Sequence, residues 1–174
     1  MSHETQAPLF GRPRPQAAPA PIQFYIGIDP GTHCGWAVLT RLGLQVISGT
    51  WDLETRRHEG GGFRFVRLEK YIRELLRTYP GARVAYEEVA SHKGTAASHI
   101  YGGIIAHVAR ICEEQGTPYC GIPVGTVKKT ATGKGNSGKP AMVTAARKQW
   151  ALALCGEDEA DALWVAECLR VQVE

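Results

Sequence analysis

The chain has 174 residues, of which 44% are hydrophobic and 21% are charged, a composition typical of one soluble globular domain rather than two. It contains neither an apolar run of the roughly 20 residues that a membrane helix needs nor a charged-then-apolar secretory signal, so we expect a cytoplasmic protein. The formal net charge is only +3. The five cysteines form no CxxC pair, and this spacing argues against a zinc site or a disulfide framework.

The first 23 residues contain five prolines among alanine, glutamine and glycine. A segment of this composition has little apolar surface to bury, so we predict a disordered tail over residues 1–23. We expect a single ordered domain to cover residues 24–174.

The first half of the predicted domain contains four strands and one helix. Three apolar stretches predict a meander of strands joined by glycine-containing turns, namely "FYIGID", "GWAVLT" and "LQVISGTW". The segment Phe63–Thr78 has apolar residues at helical spacing opposite arginine and glutamate, which predicts an amphipathic helix. The stretch "RVAYEEVA" then predicts a fourth strand that ends in carboxylates.

The second half alternates helices with one strand and one loop. In chain order we predict a helix over residues 96–115, a short strand at "TPYCGIP", a helix at "VGTVKKTAT", a loop at "GKGNSGK", and helices over residues 140–154 and 158–169. A meander followed by alternating helices and strands is typical of an α/β domain. The predicted fold class is therefore α/β, with a five-stranded mixed sheet flanked by helices, in which an antiparallel three-strand meander precedes parallel strands.

Acidic residues stand at the ends of two predicted strands and at the start of the last helix, and they are Asp29, Glu87, Glu88, Asp158 and Asp161. Neighbouring strands would bring Asp29 close to only one of the two glutamates, because successive strand residues point to opposite faces. Asp158 and Asp161 are three residues apart and share a helix face. Clustered carboxylates repel one another unless a divalent cation compensates them, and oxygen-only ligands favour Mg²⁺ or Mn²⁺.

Taken one at a time, two of these residues also have ordinary structural interpretations. Asp29 before a Pro-Gly pair suits a turn, and Asp158 in a first helical turn suits the helix dipole. Asp161 lies instead on what should be a buried stripe, directly before "ALWVA". Taken together, the acidic residues favour a metal site.

The positive charges are concentrated in one segment of the chain. Between Glu114 and Glu157 there is no acidic residue, whereas this segment carries Lys128, Lys129, Lys134, Lys139, Arg147 and Lys148. A basic segment followed by an acidic one suits a protein that binds a polyanion and performs metal chemistry on it. Solvated helix faces are the alternative interpretation for Arg147 and Lys148.

Four blocks of sequence carry a resemblance to a known family. They are "IGIDPGTHCGWAVL", "VAYEEV", "VKKTATGKGNSGKPAMV" and "DEADALWVA", in this order. The set resembles the RuvC-type Holliday-junction resolvases (crossover junction endodeoxyribonucleases) of the RNase H-like superfamily, over residues 24–169. The first and last blocks are shared with other families, but the ordered set of four is specific. The insertions and the tail are closer to a divergent or phage-borne member than to a standard bacterial one.

The resemblance implies an RNase H-like fold and a Mg²⁺-dependent endonuclease that resolves four-way DNA junctions, as a homodimer, by paired symmetric nicks. Carried over by motif, the catalytic ligands of two Mg²⁺ ions, for which Mn²⁺ can substitute, are Asp29, Glu87, Asp158 and Asp161. Lys128 and Lys139 match residues that contact DNA near the active site, and Lys129 and Lys134 are further DNA-binding candidates without a matched role. The implied location is the nucleoid or, for a phage-borne member, the host cytoplasm.

The chain departs from the family pattern around its second block. Glu88 stands where the family usually has glutamine, so it points away from the metal ions or adds a charge to their site. The family commonly has an aromatic residue after this block that helps to open the junction, whereas this chain has Ala90, Ser91 and His92. Such a wedge is therefore absent or has moved, to His92 or to Tyr101.

Three other functions are alternatives to the resolvase. An actin-like ATPase also begins with a "GIDPGT"-like strand, but it needs two lobes around its nucleotide and 174 residues supply one. A nuclease of the same fold that acts on flaps or forks is poorly separated by sequence. A non-catalytic junction-binding protein is disfavoured because all four carboxylates are present. For the homodimer, the helix predicted over residues 96–115 is the candidate interface.

Overall fold

A mixed five-stranded sheet forms the centre of the domain. In the computed structural model, which describes residues 23–91, 94–153 and 155–173, the strands are β1 (Phe24–Asp29), β2 (His33–Thr40), β3 (Val46–Asp52), β4 (Ala82–Glu88) and β5 (Tyr119–Pro123). The helices are α1 (Phe63–Thr78), α2 (Thr95–Gln115), α3 (Val124–Thr132), α4 (Lys139–Trp150) and α5 (Glu157–Val173). The tail predicted over residues 1–23 falls outside the described residues except for Gln23, and its disorder stays a prediction.

The strand order β3-β2-β1-β4-β5 places β1 at the middle of the sheet. Strand β2 pairs antiparallel with both β1 and β3, whereas β4 pairs parallel with both β1 and β5. The predicted meander followed by parallel strands is therefore confirmed. Since β1 and β4 are parallel neighbours, both end at the same edge of the sheet, which is where α/β folds usually place a binding site.

Helices α1 and α2 cover one face of the sheet. The core on this face includes Ile26, Ile28, Val84, Leu68, Ile72, Ile104 and Val108. The buried residues of α1 recur every four positions, as the apolar stripe of an amphipathic helix requires. Gly103 lets α2 approach α1 closely, because a β-carbon at that position would lie 2.4 Å from Cζ of Phe65.

Helix α5 crosses the opposite face and is buried on nearly all sides. Ala160 and all residues from 162 to 169 are buried, as expected for a core helix that is largely apolar around its circumference. The charged residue among them, Glu167, is paired with Arg170 at 2.8 Å. Gly27 on β1 permits this contact, because a β-carbon there would lie 2.1 Å from the carbonyl oxygen of Ala162. Helices α3 and α4 pack against α5 in turn. Within the part of the chain that the structure describes, no helix is both long and apolar enough to cross a membrane.

Two helix ends differ from the predicted ones. Helix α4 ends at Trp150 rather than at residue 154, because Ala151 adopts a left-handed conformation with φ of 53°. The N–H groups of Ala151 and Leu152 both donate to the carbonyl of Arg147, which caps the helix. The turn then lets Leu152 pack against the α5 core. Helix α5, by contrast, continues past the predicted residue 169 to Val173.

Candidate active site

Asp29 is the last residue of β1 and Glu87 is the next-to-last residue of the neighbouring parallel strand β4, and both lie on the same face of the sheet. The last registered pair between β1 and β4 is Ile28 with Tyr86, so Asp29 and Glu87 occupy the next position. Ile28 and Tyr86 pack on the side of α1 and α2, and the alternation of side chains turns both carboxylates toward α5. Of the two adjacent glutamates, Glu87 is therefore the one beside Asp29.

The first turns of α5 bring Asp158 and Asp161 to the same place. Gly35 on β2 is paired across from Asp29. A β-carbon on Gly35 would lie 1.9 Å from the carbonyl oxygen of Asp158 and 3.2 Å from Cβ of Asp29. The backbone of α5 therefore touches the sheet directly beside Asp29, and Asp161 follows on the same helix, half-buried.

The four carboxylates act on one another electrostatically. Burial raises the pKa of Asp29 well above its ordinary value, and the charges that raise it further belong to Glu87, Asp161 and Asp158. Burial and the charge of Asp161 raise the pKa of Glu87 to about 7. Burial also raises the pKa of Asp161, against the lowering influence of Lys139. The cluster thus holds more negative charge than its surroundings compensate, and a bound cation would relieve it.

Two of the four predicted lysines reach this cluster. Nζ of Lys139 lies 3.2 Å from Oε2 of Glu157 and 3.9 Å from Oδ1 of Asp158. The positive charges of Lys128 and Lys139 both lower the pKa of Glu87, opposing the effect of burial. Lys139 therefore contacts the cluster, and the charge of Lys128 is near enough to act on Glu87 and Asp161.

The other two predicted lysines lie elsewhere on the same segment. Lys129 is exposed and, with Thr126, lines an open surface cleft at the start of α3. Lys134 is exposed in the loop between α3 and α4, where its carbonyl accepts hydrogen bonds of 3.1 Å from the hydroxyls of Thr132 and Ser137. The four lysines thus form a pair at the carboxylates and a pair along the adjoining surface.

Glu88 faces away from the carboxylate cluster. It is exposed and lies on the opposite side of β4 from Glu87, where a β-carbon on Gly121 would lie 3.1 Å from the ring of Tyr86 and 3.2 Å from the Glu88 side chain. Of the two roles considered for Glu88, the structure agrees with the one in which it points away. His92, the other residue of uncertain role, lies outside the described residues.

The hydroxyl of Tyr101 is held against the end of β4. The N–H of Val89 donates to it at 3.1 Å, and it donates to the carbonyl of Glu87 at 3.1 Å. This half-buried position does not suit the junction wedge that was considered for Tyr101, because the polar end of the ring is bound to the strand. The contact joins α2 to β4, and no local sequence pattern signals it.

Glu159 attaches the first turn of α5 to β3. Its Oε1 accepts a hydrogen bond of 2.6 Å from the hydroxyl of Ser48, and its Oε2 accepts one of 3.1 Å from the N–H of Gly156. The sequence alone did not predict a contact between Ser48 and Glu159. A glutamate three positions after the residue that precedes a helix is, however, the usual signal for the contact with Gly156.

A second group of possible metal ligands is exposed at the ends of β2 and β3. The ligand atoms of His33, Asp52 and Glu54 all lie within 4.8 Å of one another, and no other set of three such side chains in the described ranges is as compact. The four carboxylates of the cluster are therefore more widely spread. Exposed acidic groups often lie together without an ion, and we assign no metal to this group.

Comparison with known proteins agrees with the geometry. The family model described as crossover junction endodeoxyribonuclease RuvC matches residues 25–169. The crossover junction endodeoxyribonuclease RuvC of Anaeromyxobacter sp. (strain Fw109-5) is 28% identical over 145 residues, which cover 82% of this chain and 70% of that protein.

Two solved structures share the fold. Thermus thermophilus RuvC in complex with a Holliday junction substrate has a TM-score of 0.74 at 24% identity, covering 86% of this chain and 96% of that one. The yeast mitochondrial Holliday junction resolvase Ydc2 has a TM-score of 0.59 at 13% identity, covering 88% and 82%. These likenesses confirm the predicted RNase H-like fold. The match to the family model extends over most of the domain, and the chain belongs to the RuvC family of crossover junction endodeoxyribonucleases.

Proposed function

We propose that this endodeoxyribonuclease resolves four-way DNA junctions, with Asp29, Glu87, Asp158 and Asp161 as its catalytic residues. The observation that carries the proposal is the convergence of these carboxylates from β1, β4 and α5, close enough for their charges to add to the effect of burial in raising the pKa of Asp29. Perturbed pKa values of this kind concentrate at functional sites. A Holliday junction is the substrate with which the T. thermophilus relative was solved, and we propose the same class of substrate here.

The carboxylate cluster suits two Mg²⁺ ions. Its four donor groups offer only oxygen atoms, which favour hard cations, so Mn²⁺ should substitute for Mg²⁺. The mutual repulsion of the carboxylates supports cation binding, because the ions would offset it. Such ions, held by these four carboxylates, would supply Lewis-acid chemistry, which would lower the pKa of a water molecule and offset negative charge on the leaving 3′-oxygen.

The lysines bind and orient the DNA backbone in this proposal. Lys128 and Lys139 hold the scissile phosphate against the carboxylates, and Lys139 exchanges its contact with Glu157 for a phosphate oxygen. Lys129 and Lys134 bind flanking phosphates from their exposed positions. Because each such contact releases counterions from the DNA, junction binding should weaken steeply with salt.

Symmetric resolution requires two cuts in strands of like polarity, and we propose that a homodimer supplies the two sites. Each chain contributes one cluster of the four carboxylates. Residues 95–99, the start of α2, are exposed and include Ala96 and Ala97, whose small side chains suit the close approach of a second helix. A closed two-fold dimer through α2 is therefore the proposed assembly, acting on DNA in the cytoplasm.

The test compares cleavage of four-way junctions, flaps, forks and linear duplex in Mg²⁺, in Mn²⁺ and in EDTA. We expect paired symmetric nicks on the junction with either metal ion and none in EDTA. Asp29→Asn should abolish the nicks, because it removes a ligand at the centre of the cluster. Glu88→Gln is the matched control, since it neutralises a carboxylate on the opposite face of β4, and it should leave cleavage unchanged.

Each alternative function predicts a different result. Equal cutting of linear duplex would refute junction selectivity, and faster cutting of flaps or forks would favour another branched substrate. Junction binding without cleavage in either metal ion would indicate a binding protein. Retained cleavage by Asp29→Asn would refute the assigned site. A monomer in light scattering at micromolar concentration would refute the paired mechanism.

A further inference from the structure

The N–H and C=O groups of successive residues in β4 point alternately toward its two neighbouring strands, β5 and β1. The N–H of Val84 donates to the carbonyl of Pro118, on the side of β5. Because strand residues alternate in direction, the backbone groups of Glu87 and Val89 point to the other side, toward β1. In a continued ladder at this end of β4, the carbonyl of Glu87 and the N–H of Val89 would therefore find their hydrogen-bond partners on β1.

Strand β1 does not provide these partners, because it ends at Asp29. The last registered pair is Ile28 with Tyr86, so the next donor for the carbonyl of Glu87 in a continued parallel ladder would be residue 30. That residue is Pro30, which has no N–H. The parallel ladder between β1 and β4 therefore gives the carbonyl of Glu87 no hydrogen-bond donor.

The hydroxyl of Tyr101 takes the place of the missing strand. It donates to the carbonyl of Glu87 and accepts from the N–H of Val89, both at 3.1 Å, so it satisfies one acceptor and one donor at once. We propose that Tyr101 is a positioning residue, which holds the backbone on both sides of Glu88 and thereby keeps the Glu87 carboxylate beside Asp29. This inference rests on the proposed role of Glu87 as a metal ligand.

The contact of Tyr101 with the end of β4 is well placed for this role. Helix α2, which carries Tyr101, is seated on α1 through the close contact of Gly103 with Phe65, so the hydroxyl comes from a fixed support. It binds only main-chain groups of β4 in these two contacts. Removing the hydroxyl therefore leaves the four carboxylates of the cluster in the chain and loosens the segment that carries Glu87.

The test is Tyr101→Phe, which removes the hydroxyl and keeps the ring. Hydrogen exchange at the Val89 amide, followed by NMR, should become at least about tenfold faster, whereas exchange at Val84, which is bonded to Pro118, should not change. Single-turnover junction cleavage should fall about 10- to 100-fold, the usual cost of losing a residue that orients a ligand, with junction binding in Ca²⁺ within about twofold. Tyr119→Phe, which removes an exposed hydroxyl bonded to Glu113, is the control and should match the wild type in each measurement.

A second variant makes the result decisive. Replacement of Tyr101 by 4-aminophenylalanine keeps a donor to the carbonyl of Glu87 but only a weak acceptor for the N–H of Val89, so it should restore most of the cleavage and only part of the Val89 protection. If the phenylalanine and 4-aminophenylalanine variants behave alike, or if Val89 exchange in Tyr101→Phe equals the wild type, the positioning role is wrong. Glu87→Gln tests the proposed function separately, because full cleavage by that variant would refute the ligand role while the Val89 exchange still reports on Tyr101.

Discussion

The carbonyl oxygen of Asp158 occupies the space that a side chain on Gly35 would need. A β-carbon on Gly35 would lie 1.9 Å from that oxygen, far inside any permitted contact. Because the atom in the way belongs to the backbone of α5, it cannot move by a change of rotamer. The absence of a side chain at Gly35 is thus what lets the helix carry its carboxylates up to Asp29.

We therefore predict that Gly35→Ala damages both stability and activity. It should lower the free energy of unfolding by about 2–3 kcal/mol, as overpacked sites do, and reduce junction cleavage by at least about tenfold because α5 is displaced. Urea denaturation and single-turnover cleavage measure the two effects. Gly61→Ala is the matched control, since no atom lies within 4 Å of a β-carbon there, and equal stability of the two variants would contradict the prediction.

The metal-free protein should lose stability as pH rises through the range in which Glu87 titrates. Burial raises the pKa of Glu87 from its ordinary value of 4.5 to about 7, so between these values the folded state retains a proton that the unfolded state has released. Because the folded state binds more protons, the free energy of unfolding falls with rising pH in this window. In EDTA at pH 8, Glu87→Gln should therefore be more stable than the wild type by about 1–3 kcal/mol.

Thermal unfolding at pH 4 and pH 8, with and without Mg²⁺, checks this prediction. The stabilising effect of Glu87→Gln should vanish at pH 4, where the carboxyl is protonated in both states. Added Mg²⁺ should stabilise the wild type more than the variant, because ligand binding favours the folded state. A variant less stable than the wild type at pH 8 in EDTA would show that the Glu87 carboxylate is not repelled by its surroundings.

Lys139 and Lys129 should have separable effects on DNA binding and cleavage. Lys139→Gln removes a charge 3.9 Å from Asp158, so it should lower the cleavage rate at saturating junction by about 100-fold, as loss of a charge-stabilising group does. Lys129→Gln should leave that rate within about threefold. The logarithm of the junction-binding constant falls with the logarithm of the salt concentration, and each variant should make this slope shallower by about one. Fluorescence anisotropy at several salt concentrations measures the slope. Equal loss of cleavage in both variants would contradict the separation.

Ser48 should stabilise the start of α5 through Glu159. Ser48→Ala removes a hydrogen bond of 2.6 Å to a carboxylate, and we expect the free energy of unfolding to fall by about 1–2 kcal/mol. Ser91→Ala, at an exposed position shortly after β4, is the control and should be neutral. If Ser48→Ala unfolds at the same urea concentration as the wild type, the contact contributes nothing to the attachment of α5.

Much of the site followed from the order and periodicity of the sequence. Side-chain alternation in β4 required that only one of Glu87 and Glu88 could join Asp29, and the spacing of three placed Asp158 and Asp161 together on α5. These are properties of neighbouring residues, which a sequence displays directly. Alternation alone did not say which of the two glutamates faces the cluster. The family motif assigned Glu87, and the register of β4 against β1 agrees with that choice.

What the sequence did not reveal depends on contacts between distant segments. Ser48 and Glu159 are 111 residues apart, and the hydroxyl of Tyr101 meets β4 only because α2 folds back over the sheet. The end of α4 was misjudged for a related reason. Ala151 takes a left-handed conformation that usually belongs to glycine, and it does so where Leu152 packs against the core of α5.

The burial of α5 on nearly all sides has a consequence for how this protein fails when it is heated. A helix that supplies both the middle of the core and two of the site's carboxylates cannot detach while the rest of the domain stays folded. Heat inactivation should therefore coincide with the cooperative melting of the whole domain, and no folded but inactive species should precede it.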